Sequence, residues 1–345
     1  MNYLKTRPLL SICIPSYNRP VQIGELLSSI DCKPENVEII ICEDMSPKRL
    51  AINSVVESFK NNSIYRTCYY ENEVNLGYDG NIRRLVELAT GQFVLFMGDD
   101  DLFVPNALDQ YLTFLNVNIN IKYVLRSYIS IHSDGRVETF RYLPKTTVLP
   151  PGEETVAWLF KRSVTISGFT ISRDAANAIS TSDLDGTLLY QIYLMANVCL
   201  DNESIYYDLP VAHAVQSFRG NNPHFGASEA EKGRYTPGVL SAENSINFTK
   251  AYFEVTEYLD RQHSTELTKR VKLILSKYSY PFLSIQRRNG IVAFLKYAKR
   301  LEREVGFGCT PYFHIYKWGL VFLGEKLFDR IIVRIKNTLG YTPDF

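Results

Sequence analysis

The chain has 345 residues and a net charge of +1, with 38 Lys and Arg against 37 Asp and Glu, and 46% of it is hydrophobic. That length suits one large domain with an appendage, and no apolar run approaches the roughly eighteen residues that span a bilayer. Cys13, Cys32, Cys42, Cys68, Cys199 and Cys309 show no close metal-type pairing and read as reduced, mostly buried thiols. In chain order, Leu9 to Ile14 is an apolar strand that breaks at Pro15-Ser16-Tyr17-Asn18-Arg19-Pro20. A helix follows with Leu26, Leu27 and Ile30 on one side, Asn18 as its N-cap candidate and Pro20 in its first turn. Val37 to Cys42 is a second strand, ending at Glu43-Asp44-Met45-Ser46-Pro47. Ile52, Val55, Val56 and Phe59 mark a second helix, Tyr65 to Tyr70 a third strand, and Ile82, Leu85, Leu88 and Ala89 a third helix. Phe93 to Met97 is apolar without alternation, as in a strand buried on both faces, and runs through Gly98 into Asp99, Asp100 and Asp101. Strand and helix alternate four times. The expected fold is α/β, an open, mostly parallel sheet whose ligands bind at the carboxyl ends of its strands.

The three consecutive acids concentrate the chemistry. Like charges this close repel, and each is costly to desolvate. They are therefore expected at the open end of the strand, where hard oxygen ligands suit Mg2+ or Mn2+. The competing reading is an Asp-rich turn or helix cap leading into Leu102-Phe103-Val104-Pro105. No Gly-x-Gly-x-x-Gly follows the first strand and no P-loop occurs, which excludes the common dinucleotide and NTPase phosphate cradles. What remains is a sheet with acids at the ends of its second and fourth strands, suited to a nucleotide whose diphosphate a metal bridges to the protein.

The pattern Ser11-Ile-Cys-Ile-Pro-Ser-Tyr-Asn-Arg19, Ile39-Ile-Ile-Cys-Glu-Asp44, Asn75-Leu-Gly77 and Gly91 through Asp101 resembles family-2 glycosyltransferases of the GT-A fold, over roughly residues 8 to 220. Within that family it looks most like bacterial enzymes of O-antigen or capsule assembly, including the abequosyltransferase-like branch. The resemblance implies an inverting hexosyl- or deoxyhexosyl-transferase. It would use Mn2+ or Mg2+ to move a sugar from a nucleotide-sugar donor to a hydroxyl of a glycan acceptor, a lipid-linked O-antigen or capsule intermediate. By the same resemblance, Pro15, Ser16, Tyr17 and Arg19 line the nucleoside pocket, Glu43 meets the base where the family has Asp, and Asp44 is the second acid of that turn. Asn75, Gly77 and Asn81 align with the segment packed on the nucleoside. Asp99 and Asp100 fall on the acidic metal pair, Asp100 as direct ligand, although Gly98 stands where the commonest motif has Asp. The base aligns with Asp185, with Asp183 in reserve and Leu184 replacing the usual Glu; an N-cap before Leu188 to Ala196 is the plainer reading of both. Asp101 is expected beyond the ligand shell or as a helix cap.

Downstream, Ile205 to Val211 is strand-like. His213 is a candidate metal or acceptor contact, and Arg219 a candidate phosphate ligand, since guanidinium binds phosphate bidentately. Gly220 to Gly238 reads as a mobile lid. The expected organisation is a GT-A catalytic domain over 1–240, with a nucleotide-binding half near 8–105 and an acceptor half near 106–240, followed by a basic, aromatic, helical region over 241–345. Residues 245–345 hold 17 basic and 9 acidic side chains, against 21 and 28 in the remainder. Near the end, Phe328, Ile331, Ile332 and Ile335 alternate with Lys326, Arg330 and Arg334, a pattern that fits either an anionic membrane surface or a helix packed on the domain. No nucleic-acid module is recognisable. Met1-Asn-Tyr-Leu-Lys-Thr-Arg-Pro lacks a signal-peptide core, so the expected location is cytoplasmic, or peripheral on the cytoplasmic face of the inner membrane. A non-catalytic nucleotide-binding or scaffold relative in a polysaccharide assembly complex is the alternative.

Overall fold

The computed structural model describes residues 7–132, 135–215, 225–239 and 241–339. The first half alternates as expected: β1 (Leu10–Ser16), α1 (Pro20–Ser28), β2 (Val37–Glu43), α2 (Arg49–Asn62), β3 (Arg66–Glu71), α3 (Gly77–Leu88) and β4 (Phe93–Phe96). Then come β5 (Leu102–Phe103), α4 (Ala107–Val117), β6 (Tyr123–Ile131), β7 (Val137–Phe140), β8 (Thr147–Leu149), α5 (Glu153–Phe160), β9 (Phe169–Ser172), α6 (Arg173–Ala178), α7 (Tyr190–Asp201) and β10 (Ser204–Val215). The sheet runs β3-β2-β1-β4-β9-β6-β10-β5, with β7 beside β6 and β8 beside β10. The first four strands are parallel, and β9 enters antiparallel between β4 and β6.

Every residue of β2 is buried, because the pleat sends Ile39 and Ile41 to one core and Ile40 and Cys42 to the other. Ile39 and Ile41 pack with α1, α2 and α4. Ile40 and Cys42 belong to a larger core that holds α3, α5, α7 and the whole C-terminal region. That region is α8 (Ala242–His263), α9 (Leu267–Lys277), α10 (Tyr280–Arg287), α11 (Ile291–Arg300) and α12 (Pro311–Leu339), the last broken at Gly324. Ile246, Tyr252, Val255, Phe294 and Phe313 of these helices are buried in one cluster with Phe160, Tyr193 and Leu194. Each such side chain is worth about 1.5–3 kcal/mol relative to exposure. The C-terminal helices therefore share the core of the sheet domain.

Candidate active site at the carboxyl ends of the strands

The parallel strands β1, β2 and β4 end together on one edge, and a cavity of about 580 Å³ opens there. Pro15, Ser16, Tyr17 and Arg19 form its wall at the end of β1. Asn18 between them takes φ +63°, a left-handed conformation that Asn tolerates better than most residues. It is not the N-cap expected from sequence. Arg19 holds that position, Pro20 opens the helix as expected, and the Asn18 Oδ1 accepts the Lys48 N–H at 3.3 Å.

At the end of β2 the two acids separate. Glu43 is fully buried, accepts the Ser46 N–H at 3.0 and 3.2 Å, and closes its own turn outside the cavity wall; burial holds its carboxyl above the usual range. Asp44 lines the cavity and accepts the N–H groups of Leu76 at 2.8 Å and Gly77 at 2.9 Å. It therefore caps α3, beyond α2 and β3, rather than the helix that follows it. Asn75, Gly77 and Asn81 also line the cavity. The Asn75 Oδ1 accepts from Gly77 at 2.9 Å, and the Asn81 amide donates to the Cys42 carbonyl at 3.0 Å, tying α3 to β2. Gly77 sits at φ +76°, and a Cβ there would fall 2.3 Å from the Ser228 Oγ, so a larger residue is excluded twice over.

The acid run at the end of β4 is held from three sides. Asp99 accepts the Tyr17 N–H at 3.0 Å and the Arg19 guanidinium at 2.7 Å, and Arg19 reaches Asp100 at 3.1 Å. Burial pushes Asp99 up to about 6, against the pull of Arg19. Asp101 accepts the Val215 N–H at 2.7 Å and the Ser167 hydroxyl, and burial with the neighbouring Asp100 pushes it up to about 7. It does not cap α4, whose N-cap is Asn106. Gly98 N–H donates to the Ser167 Oγ at 2.9 Å, and a Cβ on Gly98 would lie 3.2 to 3.4 Å from Ser167, Asp100 and Asp101. The packing thus explains why glycine stands at that point of the motif. Arg126, fully buried, donates to the Ser167 carbonyl and to Thr165, and so fixes the loop that fixes the acids.

Of these carboxylates Asp100 suits a divalent cation. Its side chain is 23% exposed and faces the cavity, whereas both oxygens of Asp99 and of Asp101 already hold protein donors. One carboxylate with substrate oxygens and water is an ordinary donor set for Mg2+ or Mn2+. No cluster of three or more metal-type side chains occurs among the described residues. His213 stands opposite Leu102 in the β10–β5 pairing, outside the cavity wall, and burial lowers its pKa. Arg219 lies outside the described residues.

Neither candidate base lines the cavity. Asp185 forms a two-pronged ion pair with Arg83 of α3, with one contact at 2.8 Å, and Asp183 accepts the Tyr258 hydroxyl at 3.0 Å. Neither is the N-cap of α7. That task falls to Asp79 of α3, which accepts the N–H groups of Leu188 at 2.8 Å and Tyr190 at 2.9 Å. Burial pushes Asp79 up to about 7. It holds Leu188 at φ +64°, a strained conformation for a bulky residue, with the side chain against the cavity.

Several cavity residues had no signal in the sequence. Glu231 accepts from Tyr78 at 2.8 Å and Gly226 at 2.6 Å, and the described part of the expected lid, 225–238, packs down through buried Ser228, Glu231 and Tyr235. Phe248 of α8 and Pro281, Phe282 and Ile285 of α10 complete the wall. They lie far along the chain in segments whose only pattern is helical, so only the tertiary fold reveals them.

Residues 11–176 match the family described as Glycosyl transferase family 2. Abequosyltransferase RfbV of Salmonella typhimurium is 33% identical over 114 residues, 33% of this chain and 34% of that protein. A UDP-Glc:alpha-D-GlcNAc-diphosphoundecaprenol beta-1,3-glucosyltransferase, WfgD of Escherichia coli, is 28% identical over 133 residues, 38% of this chain and 50% of that one. The matches thus span a third to a half of these relatives' length. Among solved structures, S. aureus TarS 1–349 in complex with UDP-GlcNAc superimposes with a TM-score of 0.56 at 16% identity, over 96% of this chain and 92% of that one. The mannosyltransferase PcManGT from Pyrobaculum calidifontis, in complex with GDP-Man and Mn2+, gives 0.50 at 13% identity over 98% and 89%. At such identities these two speak for the fold alone. Residues 11–176, just under half of the chain, thus form a Glycosyl transferase family 2 domain, and the chain as a whole takes the GT-A fold of these neighbours.

Proposed function

We propose that the protein transfers a sugar from a nucleotide-diphosphate donor to a hydroxyl of a glycan acceptor in the assembly of an O-antigen or capsule. The observation that carries this reading is Asp100, exposed to the cavity that Tyr17, Arg19, Asp44 and Asn75 also line, just beyond β4 and inside the span that matches the family. In transfer, the acceptor oxygen attacks the anomeric carbon, the bond from that carbon to the diphosphate oxygen breaks, and the diphosphate leaves with the electron pair. The acceptor proton passes to a carboxylate, for which Asp185 is the proposed base. Its segment supports that role through Leu188, which lines the cavity three residues on, although the carboxylate must first part from Arg83. Asp100, with diphosphate oxygens and water, would hold Mn2+ or Mg2+, which when bound supplies neutralising charge to the departing diphosphate. Arg19 pairs with both Asp99 and Asp100 and so offsets their mutual repulsion, and the Tyr17 N–H orients Asp99.

The acceptor we propose is lipid-linked, as the name of the WfgD relative states for that enzyme. The protein would meet it as a peripheral protein on the cytoplasmic face of the inner membrane. No helix among the described residues is long and apolar enough to cross a membrane. Trp318, Phe322, Leu323 and Leu327 of α12 are 44–79% exposed, beside Lys326 and Arg330, which is the arrangement of an interfacial helix.

The deciding experiment is thermal stability with UDP, dTDP, CDP and GDP, each with and without Mn2+. A ligand at about a hundred times its dissociation constant adds roughly 2.7 kcal/mol. A Mn2+-dependent rise with one nucleotide, absent in Asp100→Ala of unchanged basal stability, is expected. No rise with any nucleotide would overturn the transferase reading. The ion pair of Asp185 favours a second reading, a nucleotide-binding scaffold that does not turn over. Donor consumption that depends on Asp100 would exclude it.

A further inference from the structure

Helix α10 turns one face to the cavity. Pro281, Phe282, Ile285 and Gln286 recur at helical spacing and line it, while Arg287, whose Nε donates to the Leu320 carbonyl at 3.1 Å, and Arg288, paired with Glu325 at 2.7 Å, fix the helix on α12. Gln286 is the polar member of that face. It is 3% exposed, its Oε1 accepts the Asn289 side-chain N–H at 3.0 Å, and its Nε2 makes no hydrogen bond among the described residues. Other polar groups of the same wall are already committed. The Asn244 amide is bonded to the Thr236 backbone at 2.8 and 2.9 Å, and each Glu231 oxygen holds a backbone N–H. Buried polar groups in native folds are nearly always paired, with protein, water or ligand. Lining a cavity, the Gln286 nitrogen is left for whatever fills it.

A second such group comes from α3. Tyr78 also lines the cavity, with its ring against the larger core and its N–H held by Glu231 at 2.8 Å. Its hydroxyl makes no hydrogen bond among the described residues, and burial raises its pKa, so it keeps its proton as a donor. Tyr78 follows directly on Gly77, whose N–H Asp44 accepts at 2.9 Å, in the segment expected to pack on the nucleoside. A cavity of about 580 Å³ is of a size that one compact ligand such as a nucleotide-sugar takes up. Both observations favour the donor, over the acceptor glycan, as the molecule these two groups meet.

We infer that Gln286 and Tyr78 are specificity-determining residues, the Gln286 amide and the Tyr78 hydroxyl donating hydrogen bonds to oxygens of the transferred sugar, hydroxyl or acetamido carbonyl. The inference rests on the nucleotide-sugar transferase reading above and gives part of the sugar's recognition to the C-terminal helices, outside the residues 11–176 that match the family. A site built to hydrogen-bond a substrate oxygen leaves its own buried donors unpaired when that oxygen is missing, and so rejects ligands that lack it. The nucleotide and its diphosphate make no demand on these two groups. Their removal therefore falls on the sugar alone.

The test uses the whole chain and calorimetric dissociation constants in Mn2+. UDP is compared with UDP-glucose and UDP-N-acetylglucosamine, dTDP with dTDP-glucose, GDP with GDP-mannose and CDP with CDP-glucose. In the wild type one conjugate should bind about tenfold more tightly than its parent nucleotide, and Gln286→Leu and Tyr78→Phe should each weaken that conjugate by roughly three- to tenfold while leaving the parent nucleotide within about twofold. Gln286→Glu keeps the oxygen that Asn289 meets but replaces the donor with an acceptor, and should lose at least as much. Tyr78→Phe keeps the ring, so the comparison survives a Gln286 variant that does not fold. Undiminished gain from the sugar in the variants, as expected if the two groups serve the acceptor instead, would overturn the inference and leave the transferase reading standing. Equal weakening of nucleotide and conjugate would make both residues structural and overturn it as well, as would the absence of any gain in the wild type. Stabilisation by no nucleotide would remove both readings.

Discussion

Asp79 shows how a single carboxylate can serve a turn it is not part of. It sits in the first turn of α3, yet its two oxygens hold the N–H groups of Leu188 and Tyr190, more than a hundred residues later. Burial places its folded-state pKa at about 7, above that of an exposed carboxylate. The stability this group contributes is therefore complete below about pH 4 and lost as pH rises through 7. The urea midpoint of the wild type should fall between pH 5 and pH 8, and that of Asp79→Asn should fall less; parallel losses would show that other groups set the dependence. Asp185 is the residue for a rate measurement. If it takes the acceptor proton, Asp185→Asn removes most of kcat, by about 10²–10⁴-fold, and abolishes the acidic limb of the pH-rate profile. If it only anchors Arg83, the limb persists and the loss appears as lowered stability.

At the scale of elements, the strands and their turns were legible in the sequence because one physical cause dominates each. β4 is an uninterrupted apolar run, and β1 and β2 are apolar from Leu10 to Ile14 and from Val37 to Cys42 but for Ser11 and Glu38, which bond to each other; the polar residues that end the strands were expected where the sheet meets solvent. The acids differ. Asp99, Asp100 and Asp101 are consecutive and of one chemical type, but the fold gives them different partners, Arg19 for the first two and Ser167 with Val215 for the third. Sequence spacing could not assign those partners, because each comes from another strand end or loop. The same holds for the start of α7, where Asp183 and Asp185 fit the local signature of a cap and the actual acceptor arrives from α3. α12 is the element on which the membrane reading depends. Phe322 is 79% exposed just before Gly324, whose φ of +72° turns the helix. Phe322→Ser with Leu323→Ser should reduce flotation on vesicles containing phosphatidylglycerol several-fold while donor binding is unchanged. Equal flotation of wild type and variant would remove α12 from the membrane.

For the whole molecule, the basic C-terminal region looked like an appendage because its charge and helical pattern differ from those of the first 240 residues. The fold joins them. Ile246, Tyr252, Phe294 and Phe313 lie in one buried cluster with Leu85, Phe160 and Tyr193, so a chain ending at 240 would expose a core face. Such a truncation is expected to aggregate or to unfold without cooperativity, whereas a soluble, cooperatively melting 1–240 fragment would show that the sheet domain stands alone. The same helices also wall the cavity, and this has an evolutionary consequence. The end with the acid run is written by residues inside the matched span 11–176, and much of the rest of the wall by residues beyond it, from Leu188 to Gln286. The two ends can drift at separate rates. On the proposed transferase reading, a lineage could keep its activated precursor while exchanging the late segments, and new specificities could accumulate without rebuilding the leaving-group machinery.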